Sequence, residues 1–562
     1  MGNQSLSSRL LAFTRLSAWK LEPESSTFAP SSAWSNKDMD PVPPHMRTWT
    51  TLSYTTYWIS CATGVTVFPL ASSMVAIGLS WQGALLAIAL GHLILAIMVV
   101  LIGTVGAQLR VPFPVLTRSS FGFWLSYFSV ISLIILSMFW FGIQTFIGSE
   151  CVYQMLKAIF PSVAHFPNHL PQNARITTIE LICYFVYWLI QFPFMFISPR
   201  KLQWLFLAKS IIVPPTWLAL LIWALLKQSP NGGFLYQNTV SSGGGLSWAW
   251  LSAFNSALGF FATAGVNMPD VTRYAKNERT LYVQLIIIPI AFTLTSFIGI
   301  AMTSAGVSLY DQVLWDPLKL IDKWDNRPCA FLVSFVFALT TLGTNVSANS
   351  LNAGNDMIAL YPRYINIRRG QVICAFLGGW ALCPWEILAT APGFLSFITG
   401  YTIFIAPITG IMITDYWLVH RTRVDVPSMY RPHGRYWYTH GVAKLARRCR
   451  IDNLLLPTFP GLIQSLKASS NVHVSAVTRL YVFHTCWGQV PSSFAILDAC
   501  LHQHVQFVLA STVYFTLSKL FRSDETVVKN AIIELETQLG FDSRFSSNGQ
   551  DGKVDVMVVG IV

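Results

Sequence analysis

Phe331–Asp356 reads FLVSFVFALTTLGTNVSANSLNAGND: an apolar run that ends at Leu342 and passes directly into a row of amides and hydroxyls, Thr344, Asn345, Ser347, Asn349, Ser350, Asn352 and Asn355. Burying an unpaired amide in hydrocarbon costs roughly 4–8 kcal/mol on a cyclohexane scale, so such groups at membrane depth need partners: neighbouring helices, water, an ion or a polar ligand. The run predicts a membrane helix, and the row predicts a polar path through the bundle.

Composition widens that reading to the whole chain. Of 562 residues 53% are hydrophobic, 14% aromatic and only 11% charged, with a mean hydropathy of +0.50. A spanning helix needs about 20 mostly apolar residues. Ten such stretches fall near 51–77, 82–106, 121–148, 176–197, 202–227, 247–268, 281–305, 328–352, 371–390 and 393–419, here spans one to ten, and two weaker ones follow. The net charge of +12 could suggest nucleic acid, but Lys and Arg gather in alternate loops: Arg110 and Arg118, Arg200 and Lys201, Arg273, Lys276 and Arg279, then Arg363, Arg368 and Arg369. That is the positive-inside pattern, with the N-terminus in the cytosol. Lys319, Lys323 and Arg327 fall in an outer loop, among Asp311, Asp316, Asp322 and Asp325. The scattered cysteines read as small core residues rather than a disulfide framework.

Two spans break the helical rule. Span one holds Gly64 and Pro69; span six holds Gly259, Gly265 and Asn267-Met-Pro-Asp270. Interruptions five spans apart predict an inverted five-plus-five repeat whose solute and ion sites lie at the breaks. In span three, Ser137, Trp140 and Gln144 share one helical face, and an aromatic plane beside an amide suits a flat heterocycle. A Trp packed between helices and a Gln bonded across them would give the same pattern.

Further segments carry a resemblance: Asp40-Pro-Val-Pro-Pro44, Gly78-Leu-Ser-Trp81, Phe113-Pro-Val-Leu-Thr-Arg-Ser-Ser-Phe-Gly122, Trp140-Phe-Gly-Ile-Gln144, Asn267-Met-Pro-Asp-Val-Thr-Arg-Tyr-Ala-Lys276, Thr344-Asn-Val-Ser-Ala-Asn349, Tyr361-Pro-Arg-Tyr-Ile-Asn-Ile-Arg-Arg-Gly370, Asp415-Tyr-Trp417 and Tyr430-Arg-Pro-His-Gly434. In this order, over residues 38–441, the chain resembles the nucleobase:cation symporter-1 family, in its fungal uracil, allantoin and uridine permease branch. The resemblance implies an all-α polytopic membrane protein of about 12 helices, ten of them in the inverted repeats, with helices one and six discontinuous. It implies alternating-access symport of a small heterocycle with a proton or sodium ion. By position, Trp140 would stack on the substrate ring, Gln144 would bond its polar edge, Phe260 and Phe261 would face it from span six, and Asn349 would bond its amide or carbonyl, with Asn345 behind it. Thr344 and Thr340 would serve the cation.

Three departures bear on coupling and substrate. Cys61 stands near where fungal proton symporters of the branch carry a carboxylate; Gly343-Thr344 offers one hydroxyl where the sodium site of bacterial relatives uses two; Phe260 replaces a basic or polar residue of uracil-type members. Two isolated charges, Lys209 in span five and Asp356 at the end of span eight, are expected to pair as an inner gate, since a charge at that depth needs a partner. Snorkelling of Lys209 and solvation of Asp356 would be the plainer outcome. Glu150, Glu180 and Glu386 stand at span ends and read as solvated.

The expected organisation is a cytosolic tail over 1–50, a ten-helix core over 51–420, a basic cytosolic loop over 421–450, two weaker helices over 451–521 with a mispredicted insert near 482–506, and a cytosolic tail over 522–562. The preferred reading is uptake of a planar cyclic amide or ureide at the plasma membrane. A vitamin or nucleoside carrier (thiamine, pyridoxine, nicotinamide riboside) is the alternative within transport, and a transport-inactive sensor or non-functional paralogue the alternative outside it. The expected partners are the solute, the coupling ion and membrane lipid, with no nucleic acid, cofactor or metal. No phosphate-binding glycine loop, paired-cysteine zinc motif or nucleophile triad points to an enzyme.

Overall fold

The computed structural model describes residues 19–22, 28–29, 32–197, 203–227, 244–437 and, near the C-terminus, 507–508, 510–516, 518–519, 528 and 530–532. Among them the regular structure is helical, apart from isolated bridges joining Trp49 to Ala275 and Asp425 to Ile532. Six helices are long and apolar enough to cross a membrane, and the bent pair Thr51–Ala62 and Val67–Ala76 makes a seventh span. Gln203–Lys227, Gly244–Phe260 with Ala262–Val266, and Ile367–Trp380 supply spans five, six and nine.

Local chemistry sets the helix ends. The Ser80 hydroxyl accepts from Gly83 N–H at the start of span two, and Thr177 with Glu180 forms a capping box on span four, satisfying donors that no earlier turn can reach. Span three, Phe113–Ile159, begins eight residues before its expected start and turns at Gly122, whose φ of 74° suits only glycine. Span eight also outruns its expected end. Arg327–Thr344 continues through a π turn, Asn345–Ser350, into Leu351–Leu360, because Asn345 bonds sideways to spans three and four and Asn349 and Asn352 bond back along the helix instead of ending it.

Lipid-facing stripes are plain on the outside. Leu86, Leu90, Leu93 and Ile97 are exposed on span two, and Trp124, Phe128, Ile131 and Ile135 on span three. Steps of three and four residues put each set on one helical face, and apolar stripes of that extent mark a surface that meets something other than water. Inside, several hydroxyls are satisfied by their own helix: Thr145, Thr340, Thr341 and Ser350 donate to carbonyls one turn back. Cys61, Cys183 and Cys374 are buried and unbridged, while Cys383, expected inside span nine, is exposed beyond its end.

The segment from Trp34 to Trp49 defines one face, here the tail face. The segment just past span ten also packs on this face, where Tyr430 O–H donates to Met39 C=O. The described residues between 507 and 519 are helical and press on span ten, where a Cβ on Gly410 would stand 2.8 Å from Ser511 Oγ. The basic run Lys444–Arg450 and the insert at 482–506 lie outside the described residues.

Candidate substrate and cation site

Both expected breaks are present. Span one leaves helical geometry between Ala62 and Val67 and bends by 48°. The indole N–H of Trp217, from span five, donates to the exposed Thr63 carbonyl at 3.0 Å. Span six breaks at Phe261 (φ −111°, ψ 15°). The last carbonyls of a helix have no partner of their own, and here the Tyr401 hydroxyl of span ten serves Gly259 C=O at 2.7 Å and Phe260 C=O at 3.3 Å.

Between the breaks lies an aromatic box. Phe260 meets the Trp140 ring edge-on at 5.3 Å and 87°, and Phe397 of span ten meets it at 5.9 Å. Phe261 turns the other way, onto Phe292 at 4.9 Å and Trp58 at 6.2 Å, so it supports the break rather than opposing Trp140. One turn after Trp140, Gln144 donates from Nε2 to the Thr66 hydroxyl at 3.3 Å, and its buried Oε1 has no partner in the protein. An acceptor held beside an indole edge is what the N–H of a planar amide needs.

The other polar wall is span eight. Asn349 Nδ2 donates to Asn345 Oδ1 at 2.9 Å, and Asn345 Nδ2 reaches Gln191 Oε1 (3.0 Å), Phe141 C=O (3.1 Å) and the Thr145 hydroxyl (3.2 Å). Asn345 is therefore locked into the scaffold and orients Asn349. The π turn carries both; such turns widen a helix locally and recur at functional sites. Span three presents Trp140 and Gln144 to the breaks, and the neighbouring face, Phe141 and Thr145, to Asn345.

Lys209 and Asp356 do not form the expected gate pair. Lys209 Nζ donates to the Thr344 hydroxyl at 2.9 Å, and Asp356 accepts from Asn267 Nδ2 at 3.0 Å. Thr344 and Asp356 are twelve residues apart on span eight, about 18 Å at 1.5 Å per residue, beyond the reach of one lysine. Gly343 is part of the same arrangement: a Cβ there would stand 3.2 Å from Lys209 Cδ. The missing second hydroxyl is thus the space that the lysine stem fills. Thr344 also returns its own hydroxyl to Thr340 C=O at 3.0 Å, while the Thr340 hydroxyl is bonded back to Val336. The partners of the Thr344 hydroxyl are thus the Lys209 ammonium and the Thr340 carbonyl.

The remaining carboxylates divide. Glu180 completes the cap of span four, Glu386 pairs with Arg175 at 3.4 Å on the surface, and Glu150 lines a small cavity with Asp316 and Trp315 at the face opposite the tail. Sequence reading missed Thr66, Thr145, Gln191, Trp217 and Tyr401. Trp217 and Tyr401 carried a signal, since a buried indole N–H or phenol requires an acceptor; nothing in their spacing names which carbonyl.

The family model for permeases of cytosine/purines, uracil, thiamine and allantoin matches residues 41–447. The chain belongs to that family. Among curated relatives it is similar to the allantoin permease of Saccharomyces cerevisiae, 32% identical over 517 residues that cover 89% of this chain and 78% of the relative. It is likewise similar to the uridine permease of that yeast, 34% identical with 80% and 72% covered, and to its uracil permease, 32% identical with 79% and 72% covered. Among solved structures, Mhp1 in its inward-facing conformation superposes with a TM-score of 0.65 at 19% identity, covering 88% of this permease and 97% of Mhp1. Mhp1 in a closed conformation with bromovinylhydantoin bound, described as a nucleobase-cation-symport-1 family transporter, also gives 0.65, at 20% identity with 87% and 98% covered. The all-α polytopic fold with discontinuous helices one and six, and the membership expected from the motifs, are borne out. The permease is an integral membrane protein.

Proposed function

We propose that this permease imports a small planar cyclic amide or ureide, of the allantoin and uracil kind, in symport with a proton. The observation that carries the reading is the Trp140–Phe260 box with the unpartnered Oε1 of Gln144 at its edge and Asn349 oriented by Asn345. A flat ring stacks on the indole, its N–H meets Gln144, and a carbonyl or second N–H meets Asn349. Stacking on an aromatic contributes about 1–3 kcal/mol per base, and the amide contacts supply selectivity, because a solute without matching groups leaves buried polar atoms unpaired. The names of the yeast relatives support this class of solute.

The choice of proton over sodium rests on Lys209. Its ammonium holds Thr344, the hydroxyl expected to serve the cation, and its stem fills the side of Gly343. A metal ion would have to displace a buried charge of its own sign. The arginine-bearing loops lie on the tail face, where Arg110 and Arg273 bond main-chain oxygens of that face; the positive-inside rule then puts both tails in the cytosol of a plasma-membrane carrier.

The test is uptake of radiolabelled allantoin, uracil, uridine, thiamine and nicotinamide riboside in yeast lacking its own permeases. Saturable uptake of one compound that is independent of sodium, abolished by a protonophore and lost in Asn349→Ala supports the reading. No uptake of any compound despite surface expression overturns it in favour of a sensor or inactive paralogue.

A further inference from the structure

If sodium has no seat at Thr344 and Cys61 supplies no carboxylate, a coupling proton needs another acceptor, and the tail face holds a candidate. Oδ1 of Asp356, Oδ2 of Asp270 and Oδ1 of Asn267 are buried there without a hydrogen-bond partner among the described residues. Asp356 is fully buried, and Asn267 and Asp270 are 2% and 5% exposed. Donors are few. Asn267 Nδ2 serves Asp356 Oδ2, and the main-chain N–H of Phe113 serves Asp270 Oδ1 at 2.8 Å.

Among the described residues no cation forms an ion pair with either carboxylate, although Arg273 is close enough to act on Asp270. Asp270 is the charge that acts on Asp356, and the Tyr57 phenol of span one, directed to Cys61, is also within electrostatic reach of Asp270. Arg273, the cation nearest Asp270, turns Nε to the Asp270 main-chain oxygen (3.3 Å) and a terminal nitrogen to Asp38 C=O (3.2 Å). Arg118 of span three is held by Met429 and Trp34 carbonyls, Arg369 of span nine by the Tyr364 carbonyl, and the Asp38 carboxylate accepts from Ile367 N–H. Among the described residues the ion pairs involve other carboxylates. Two neighbouring buried carboxylates repel each other, and one proton between them removes the repulsion and adds the missing donor.

We propose that Asp270 and Asp356, braced by Asn267, bind the coupling proton of this carrier. The inference rests on the symport reading above and names its ion site. Asp356 lies seven residues beyond Asn349 on span eight, about 10 Å along the axis, and Asp270 lies in the short helix Met268–Thr272 that follows span six. The pair thus joins the two elements that hold the solute. With the tail face closed, the proton stays on a carboxyl oxygen. When that face opens, spans six and eight part, the Asn267–Asp356 bond is lost, the carboxyl O–H breaks, and the proton passes to water, leaving two separated, hydrated carboxylates. Retention of the proton until opening is what ties its release to that of the solute.

The experiment compares Asp270→Asn, Asp356→Asn and wild type in proteoliposomes, using whichever labelled compound of the uptake panel wild type transports. Gradient-driven accumulation is measured beside counterflow exchange, which needs no net proton movement. The expected result is that each variant still exchanges but accumulates only to equilibration, insensitive to a protonophore. Accumulation as in wild type, with protonophore sensitivity kept, overturns the site. So does equal loss of exchange and accumulation at unchanged melting temperature, which marks a binding or structural role. Should the asparagine variants fail to fold, Asp356→Glu decides: a changed pH dependence of accumulation with exchange intact supports the site, and a wild-type profile overturns it. If wild type accumulates none of the compounds, the symport reading fails, an outcome distinct from a wild type that accumulates and variants that do so equally.

Discussion

Lys209 shows how far a single residue can be read before its surroundings are known. An ammonium in an apolar run announces a partner, but the partner is the Thr344 hydroxyl, one helix away, not Asp356. Gly343 makes the contact possible, and Gly343→Ser should undo it: the new side chain meets Lys209 Cδ, and overpacking of this kind costs about 1–3 kcal/mol. Thermal melting of the detergent-solubilised protein should fall, and uptake with it. Lys209→Met keeps most of the volume without the charge, so melting should hold while the dependence of uptake on the proton gradient changes; uptake kinetics with and without a protonophore check this. Asn345 is a second case. Its amide serves four groups, so Asn345→Ala strands Gln191 and Asn349 at about 1–3 kcal/mol per unsatisfied group. It should lower melting temperature and affinity together, whereas Asn349→Ala should remove uptake with little change in melting.

At the scale of the element, the breaks in spans one and six were visible in glycine and proline. How they are held was not, because the freed carbonyls are satisfied from other helices. Tyr401 reaches Gly259 and Phe260 from span ten, and Trp217 reaches Thr63 from span five. Tyr401→Phe removes one neutral hydrogen bond, about 1 kcal/mol, at a turn that sets Phe260 against Trp140. It should raise the KM for uracil or allantoin at unchanged surface level, as measured by initial-rate uptake. Gly259 is constrained by the same helix: a Cβ would stand 2.5 Å from Thr402 Cγ2. Gly259→Val should therefore push span ten away and lower melting temperature. Span eight outran its expected end for a related reason, since Asn345 is satisfied across the bundle by spans three and four while Asn349 and Asn352 bond within the helix itself.

At the scale of the whole molecule, the tail face is stitched by one segment. Asn36 donates to the Pro362 and Ile365 carbonyls, Val42 N–H to Arg110 C=O, and Trp49 exchanges main-chain bonds with Tyr274 and Lys276. These contacts tie the loops after spans two, six and eight together, so opening of this face must break some of them. Asn36→Ala combined with Asp38→Ala should speed alkylation of a cysteine placed at Ser350 by a membrane-permeant maleimide, the shift being read against the same cysteine in the parent. Hydrophobic runs, the two breaks, the loop charges and the ordered motifs were enough, by themselves, to establish a polytopic helical carrier and to nominate Trp140, Gln144, Phe260 and Asn349 for its solute site, because burial in lipid leaves few ways to satisfy a backbone. Tertiary structure alone decided the pairings: Lys209 with Thr344, Asp356 with Asn267, Tyr401 with the end of span six. Each joins residues dozens to more than a hundred positions apart, and the partner of a buried polar group is chosen by which helix lies within about 3 Å, a fact that no local pattern of residues contains.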